Sequence, residues 1–192
     1  MLIAISGGIG SGKSVVARML RTMGYLVYDC DVEAKRLMDS SPAIKVCIAN
    51  EISADAIAAN GSIDRQQLSA IVFSDKAKLE LLNSIVHGAV KDDLTEWSAR
   101  NATHSPLFVE TAILYQSGLD KLVDRVIEVV ANDAVRIERV CHRNSMSEAE
   151  VLKRIESQRI DVKNPHPNVD TIDNNGSEAV LPQLLDFLKS IE

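Results

Sequence analysis

The sequence predicts an α/β fold in which helices flank a five-stranded parallel sheet, and three observations support it. Short apolar runs alternate with helix-periodic segments, which is typical of parallel strands joined by crossover helices. The first apolar run, residues 2–6, passes directly into a glycine-rich turn and then into a helical pattern. A block at 64–99 is almost wholly helix-periodic and has no strand signal. It therefore predicts a helical insertion between the second and third strands.

Each element follows from a local signal along the chain. Gly24 is typical of a helix end, and residues 25–28 predict a second strand that runs out into Asp29-Cys30-Asp31. A helix over 32–38 is then interrupted by Ser40-Ser41-Pro42. The remaining predicted strands cover 107–110, 126–130 and 169–172, and a turn is predicted at Asn60-Gly61. Helices are predicted over 43–50, 133–142 and 177–191. A further helix is predicted to begin at a Ser147–Glu150 capping box.

Composition sets limits on the class of protein. The chain has 192 residues, a net charge of −6 and three cysteines without metal-ligand spacing. An acidic balance disfavours a general nucleic-acid or anionic-membrane binder, because those proteins rely on basic residues. The isolated cysteines, the first strand directly after Met1 and the lack of a long apolar run predict a cytoplasmic protein without signal peptide or membrane span. The oligomeric state is not set by these features.

The turn after the first strand carries the strongest motif. Gly7, Gly12, Lys13 and Ser14 occupy every fixed position of G-x-x-x-x-G-K-[ST]. Glycines let successive backbone N–H groups converge on an anion, and the following helix adds its positive N-terminal end. The lysine can reach the β- and γ-phosphates, and the Ser14 hydroxyl can bind Mg²⁺. We therefore predict a nucleotide-phosphate loop rather than a merely flexible turn.

The rest of the chain narrows the choice among phosphate-loop proteins. The guanine-reading Asn-Lys-x-Asp of small GTPases is not in the sequence. The short second strand and the helical insertion favour the nucleoside-monophosphate-kinase type of P-loop kinase. Asp29 and Asp31 follow the second strand, and ligands gather at the carboxyl ends of such strands. Either carboxylate can orient or deprotonate an attacking hydroxyl, or can simply cap the next helix.

The sequence resembles the dephospho-coenzyme A kinase family over nearly its full length. The resemblance rests on an ordered set of segments: the loop at 7–14, Asp29-Cys30-Asp31-x-x-Ala34, Leu82-Asn83-Ser84-Ile85-Val86-His87, Ile137-Glu138-Arg139-x-x-x-Arg143, Arg154-Ile155-x-x-Gln158 and Ile172-Asp173-Asn174-Asn175-Gly176. It implies transfer of the ATP γ-phosphate to the ribose 3′-hydroxyl of dephospho-coenzyme A, with Mg²⁺. It also implies a sheet core at 1–31, 105–135 and 165–192, an acceptor-binding helical insertion at 32–104 and a lid at 136–164.

The resemblance also assigns roles to individual residues. It implies that Asp31 is the catalytic base and an acceptor contact, that Lys13, Arg139 and Arg143 act on the phosphates, and that Arg65 and His87 bind the acceptor. The implied ATP-binding residues are Gly8, Gly10, Ser11, Gly12, Lys13, Ser14, Val15, Asn174 and Gly176, with Ser14 on the metal. Ordinary alternatives remain for several of these: a solvated basic face for the two lid arginines, surface charge for Arg65 and a structural histidine for His87.

The sequence departs from the family pattern at a few positions. Val15 stands where Thr is common and Gly88 where Pro is common, while Gln116 lacks the usual carboxylate. Glu110, at the end of the third strand, is then either a substitute near the metal or a solvated loop carboxylate. Lys163 can face phosphate or lie in a plain loop. Two other functions stay open: a kinase for a nucleoside, nucleotide or shikimate-like acceptor, and a nucleotide-dependent switch.

Overall fold

The computed structural model describes residues 1–144, 146–158, 162 and 164–191, so Lys163 and parts of the predicted lid lie outside the described residues. It contains one five-stranded, all-parallel sheet of order β2-β3-β1-β4-β5. The strands are β1 (Leu2–Ser6), β2 (Val27–Asp29), β3 (Leu107–Glu110), β4 (Arg125–Val130) and β5 (Val169–Asp173). The predicted α/β class with a five-stranded parallel sheet is confirmed.

The described helices fall mostly where the periodicity places them. They are α1 (Lys13–Thr22), α2 (Cys30–Ser40), α3 (Pro42–Cys47), α4 (Arg65–Ser74), α5 (Lys76–Arg100), α6 (Asp133–Asn144), α7 (Glu148–Gln158) and α8 (Val180–Lys189). A single π-helical turn, Ile48–Ile52, continues α3. The longest of them, α5, has 25 residues, and no described helix combines the length and apolarity that crossing a membrane requires.

Two boundaries differ from the prediction in ways that matter for the site. The second strand covers Val27–Asp29 instead of 25–28, because it pairs only with the end of β3, through Val27↔Phe108 and Asp29↔Glu110. Helix α2 therefore begins at Cys30, and Asp31 lies in its first turn rather than at the end of the strand. Helix α6 continues to Asn144, so it is two residues longer than the predicted helix over 133–142 and includes Arg143.

The other differences are local. The helical block predicted at 64–99 is divided at Asp75, whose extended backbone separates α4 from α5. Its carboxylate accepts hydrogen bonds from the N–H groups of Ala77 and Lys78, which gives α5 a start of its own. The closing helix is shorter than predicted, since α8 begins only after extended Ala179.

The chain divides into two compact units, Met1–Asp29 with Asn101–Glu192 and Cys30–Arg100. In the first, Ile3, Ile5 and Phe108 form a core with α1 and α8 on one face of the sheet. Ala4 and Val109 on the alternate positions are also buried, as expected for a parallel sheet that is apolar on both faces. The second unit is helical and has its own core, in which Ile44, Ile48, Leu68 and Val72 are buried. That it binds the acceptor stays a prediction, as does a separate lid.

Candidate active site

The glycine-rich turn between β1 and α1 has the backbone of a phosphate-binding loop. Gly7, Gly10 and Gly12 have φ values of 140°, 79° and 103°, which side-chain-bearing residues rarely adopt. A Cβ on Gly7 would lie 2.3 Å from the carbonyl oxygen of Val129. One on Gly12 would lie 2.1 Å from Nδ2 of Asn174. Both backbone conformation and close packing therefore require glycine in this loop.

The N-terminus of α1 is left without a side-chain cap. Gly12 is the N-cap residue and offers no side-chain hydrogen bond, and no acidic residue lies in the first turn. Unpaired N–H groups and the helix dipole both favour an anion at such a position. Lys13 adds a positive charge there, and its ammonium donates to the carbonyl of Gly8 at 3.2 Å. The first turn is therefore built to receive a phosphate group.

Solvent exposure separates the remaining residues of the loop motif. Ser14 and Val15 are exposed at the start of α1, so the Ser14 hydroxyl is accessible to a metal or a phosphate. Ser11 is only 1% exposed, and its hydroxyl has no hydrogen-bond partner among the described residues. Its backbone carbonyl accepts from Nδ2 of Asn174 at 2.8 Å. Ser11 thus belongs to the packed side of the loop.

Asn174 joins the loop to the end of β5 and to α6. Its N–H donates to the carbonyl of Val130 at 2.9 Å, and its side-chain oxygen accepts from Arg139 Nη2 at 3.4 Å. The structure thereby brings together Ser11, Arg139 and Asn174, three residues that the sequence predicted separately. Gly176, two positions on, is exposed and has a φ of 92°.

The two predicted lid arginines have different surroundings. They lie four residues apart on α6, and therefore on one side of that helix. Arg139 is half-buried, and its Nη1 atom is buried without a hydrogen-bond partner among the described residues. Arg143 is exposed, and its Nε donates to Asn144 at 2.8 Å. Only Arg139 is connected to the loop network in this structure.

The predicted acceptor-side residues lie in the helical unit. Asp31 is exposed in the first turn of α2, and Arg65 at the start of α4 donates to Asp39, near the end of α2, at 2.7 Å. His87 is half-buried in the middle of α5, where burial lowers the pKa of its imidazole below the ordinary value. The lowered pKa favours the neutral imidazole at pH 7, and a neutral imidazole can form a hydrogen bond to a substrate but carries no charge.

The two remaining carboxylates lie side by side at the sheet edge. Asp29 and Glu110 are direct partners in the β2–β3 register, at the carboxyl ends of both strands. Arg21 approaches Asp29 with 3.9 Å between Nη2 and Oδ2. Gln116, which stands where the family has a carboxylate, is exposed. No group of three or more His, Cys, Asp or Glu side chains suited to a metal ion occurs among the described residues. A magnesium ion held mainly by substrate phosphates and water does not need one.

Comparison with known proteins identifies the family. The family model described as CoaE, dephospho-CoA kinase, matches residues 1–179. The chain belongs to the dephospho-CoA kinase family. It is 38% identical over 191 residues to a dephospho-CoA kinase of Porphyromonas gingivalis, covering 98% of this chain and 93% of that one. It is 36% identical over 199 residues to a dephospho-CoA kinase of Bacillus licheniformis, covering 100% and 98%.

A solved structure supports the fold. TT1252 from Thermus thermophilus superposes with a TM-score of 0.77 at 33% identity, covering 100% of this chain and 95% of that one. The predictions of the family and of a phosphotransferase are confirmed, and a kinase for another small acceptor is not favoured. The assignment of individual site residues stays a prediction.

Two residues that contact the loop of this kinase were not assigned a role from the sequence. Arg136 Nε donates to the carbonyl of Ile9 at 2.9 Å, and Gln158 Oε1 accepts from the N–H of Ile9 at 2.7 Å. Gln158 belongs to a segment that carries the family resemblance, but the segment alone does not show what the side chain contacts. The one local indication in the sequence is the i, i+3 spacing of Asp133 and Arg136, which is typical of an ion pair on a helix.

Proposed function

We propose that this protein transfers the γ-phosphoryl group of ATP to the ribose 3′-hydroxyl of dephospho-coenzyme A, which completes coenzyme A. The observation that carries the proposal is the uncapped, glycine-led N-terminus of α1 with Lys13 beside it, in a chain of the dephospho-CoA kinase family. The family name supplies the acceptor, and the loop supplies the means of holding a triphosphate.

The nucleotide side of the proposal uses the loop and its neighbours. The backbone N–H groups of Gly10, Gly12, Lys13 and Ser14 bind the phosphates, and Lys13 moves from the Gly8 carbonyl to the β- and γ-oxygens. Asn174 and Gly176 form the wall near the adenine. Arg139, already held beside the loop by Asn174, neutralises charge on the moving phosphoryl group, and Arg143 joins it. These residues supply position and charge, which phosphoryl transfer chiefly requires.

Magnesium fits the donors that the chain presents. The exposed Ser14 hydroxyl is a hard oxygen ligand, which is the kind of donor that Mg²⁺ prefers. A bound Mg²⁺ would reduce the negative charge on the triphosphate oxygens. The Ser14 hydroxyl would hold that ion, and the loop would orient the triphosphate.

The acceptor side uses residues of the helical unit. Asp31 is exposed at the start of α2, which suits a carboxylate that receives the proton of the 3′-hydroxyl. Arg65 carries a positive charge suited to an acceptor phosphate, and the neutral His87 provides a hydrogen bond. A domain that binds the acceptor separately from ATP also keeps water from replacing the hydroxyl.

Mass spectrometry of the product tests the proposed function. The protein is incubated with ATP, Mg²⁺ and an equimolar mixture of dephospho-coenzyme A, a nucleoside, a nucleoside monophosphate and shikimate. We expect only dephospho-coenzyme A to gain one phosphoryl group, on the ribose 3′-oxygen, with one ADP formed per product. Phosphorylation of a different acceptor, or ADP formation without any phosphorylated acceptor, contradicts the proposal.

The base assignment has its own test in Asp31→Asn. This substitution keeps the shape of the side chain but removes its ability to take a proton, so kcat should fall by about 10²–10⁴-fold. The dissociation constant for ATP, measured by calorimetry, should stay within about twofold because the loop is unchanged. Asp92→Asn, at an exposed position of α5, is the matched control and should keep parental activity. A kcat near that of the parent in Asp31→Asn shows that another group handles the proton.

A further inference from the structure

Ile9 is the one bulky residue in the 7–12 segment of the loop, which is otherwise glycine and serine, and both of its backbone polar groups are held by side chains. Its N–H donates to Gln158 Oε1 at 2.7 Å, and its carbonyl accepts from Arg136 Nε at 2.9 Å. Gln158 is the last residue of α7, and Arg136 lies in the first turn of α6. Two distant parts of the chain therefore fix consecutive peptide groups of the loop.

The side chain of Ile9 provides a third attachment. It packs against a small apolar core between α6 and α7, in which Val140, Val151 and Ile155 are at most 1% exposed. Burial of apolar isoleucine surface against this core stabilises the attachment. The loop is thus anchored by two hydrogen bonds and one apolar contact, all at Ile9.

Arg136 also occupies the space that a side chain at Gly8 or Gly10 would need. Gly8 does not have a positive φ, but a Cβ there would lie 2.1 Å from Arg136 Nη2. A Cβ on Gly10 would lie 2.7 Å from the Arg136 carbonyl oxygen. The Arg136 side chain, which is 13% exposed and is held by Asp133 at 2.9 Å, covers this side of the loop. A side chain at Gly8 would displace the guanidinium from its hydrogen bonds to Asp133 and Ile9.

We propose that Arg136 and Gln158 are positioning residues that hold the phosphate loop in its binding conformation before the nucleotide arrives. A loop with four glycines in six residues loses much conformational entropy on ordering. Fixing Ile9 from outside removes part of that cost from the binding step, so the affinity for ATP rises. The inference rests on the proposed function only in that the loop binds nucleotide phosphates; it does not depend on the acceptor.

Gln158→Met tests the proposal, because methionine keeps the length of the side chain and removes the acceptor. Ile9 N–H is then left without its partner, which costs about 1–3 kcal/mol and corresponds to a rise of about 5- to 150-fold in the dissociation constant for ATP. We expect kcat at saturating ATP to change by less than about twofold, and the Ile9 amide to exchange faster with solvent. Ser157→Met, at the adjacent exposed position, is the control and should match the parent.

The outcomes separate this proposal from the proposed function. ATP binding is measured by calorimetry without any acceptor, and transfer to dephospho-coenzyme A is measured separately. An unchanged dissociation constant in Gln158→Met, or a kcat that falls as much as affinity does, overturns the positioning role even where dephospho-coenzyme A is phosphorylated normally. A weakened ATP affinity in an enzyme that does not phosphorylate dephospho-coenzyme A supports the positioning role and overturns the acceptor assignment.

A double-mutant cycle on Gly8 and Arg136 gives a second test. Gly8→Ala should weaken ATP binding strongly in the parent, because the new methyl group displaces the guanidinium. In an Arg136→Ala background the obstruction is gone, so Gly8→Ala should weaken ATP binding by a smaller factor than it does in the parent. Additive effects overturn the proposal that Arg136 is what the glycine accommodates. Melting curves of all four proteins show whether each variant is folded.

Discussion

Helices α1 and α7 differ in how the backbone N–H groups at their N-termini are capped. Each has first-turn N–H groups that the helix itself cannot pair. At α7, Glu150 N–H donates to the Ser147 hydroxyl at 3.4 Å, while Ser147 N–H and hydroxyl donate to Glu150 Oε2 at 2.9 and 2.7 Å. At α1, Gly12 provides no side-chain cap. One helix end is capped by side chains of its own chain, and the other has no side-chain cap.

The charged residues in the first turns of the two helices differ in the same way. Helix α7 has two acidic residues in its first turn, which satisfy the helix dipole internally. Helix α1 has none, and instead begins with a lysine. An anion approaching the first turn of α1 meets a lysine and no acidic residue of that turn, whereas one approaching the first turn of α7 meets two carboxylates. The comparison teaches that a missing cap beside a strained glycine loop is a feature of the site rather than a defect of the helix.

Lys13→Met should produce the largest effect, because it removes the fixed charge at the uncapped helix end. We expect kcat/KM for ATP to fall by about 10²–10³-fold with little change in melting temperature, since Lys13 contributes charge rather than packing. Steady-state kinetics and a melting curve measure both quantities. Lys153→Met on the exposed face of α7 is the matched control and should retain parental values. A loss of less than tenfold in Lys13→Met contradicts the phosphate role.

Gly12→Ala should cause the next largest loss of ATP affinity. Comparison with Gly24→Ala separates the effect of backbone strain from that of the contact with Asn174. Both glycines have positive φ, at 103° and 94°, so alanine strains either backbone by about 1–2 kcal/mol. Only at Gly12 does the new Cβ meet another residue, Asn174, whereas the space around Gly24 is open. Calorimetry should show ATP affinity reduced by about tenfold or more in Gly12→Ala and unchanged in Gly24→Ala, while melting curves show both destabilised. Equal ATP affinities in the two variants contradict this explanation.

Ser147→Ala should have the smallest effect and should leave nucleotide binding intact. Loss of the cap should lower the melting temperature by about 2–4 °C. The hydrogen bonds from the Ser147 hydroxyl and then from its N–H lower the pKa of Glu150 below 4.5. A carboxylate whose pKa is lowered by folding stabilises the protein above its ordinary pKa, and that contribution is lost as the pH falls.

The difference in melting temperature between Ser147→Ala and the parent should accordingly be largest above the ordinary pKa of glutamate and should shrink as the pH falls below it. Calorimetric titration with ATP at neutral pH serves as the control and should give the same affinity for both proteins. A difference in stability that does not vary with pH, or a change in ATP affinity, contradicts the contrast between the two helix ends.

The sequence predicted those parts of the fold and the site that depend on local signals. The strand at 2–6, the loop motif and the Ser147–Glu150 capping box each lie within a few residues and were located correctly. Asp31 was placed at the end of a strand and lies in a helix, because β2 is limited by its pairing with β3. That limit is a tertiary effect, which the residues at 25–31 do not encode by themselves.

The loop anchors could not be predicted for a related reason. Ile9 contacts Arg136 across 127 residues of sequence and Gln158 across 149. An arginine in an amphipathic helix is usually a solvated charge, and no local pattern indicates that this one covers a glycine. Gly8 illustrates the same point: a side chain there would meet Arg136, which is distant in the sequence, whereas Gly12 has a positive φ in addition to its contact with Asn174.

Residue-resolved amide NMR of the ¹⁵N-labelled protein, recorded with and without ATP, tests most directly whether α1 receives the triphosphate. We predict large shifts for the amides of Gly10, Gly12, Lys13 and Ser14, and unchanged signals for Glu148 and Glu150 at the start of α7. The same loop shifts should appear without any acceptor. Unshifted loop amides at saturating ATP, or shifts at α7 as large as those at α1, contradict the account.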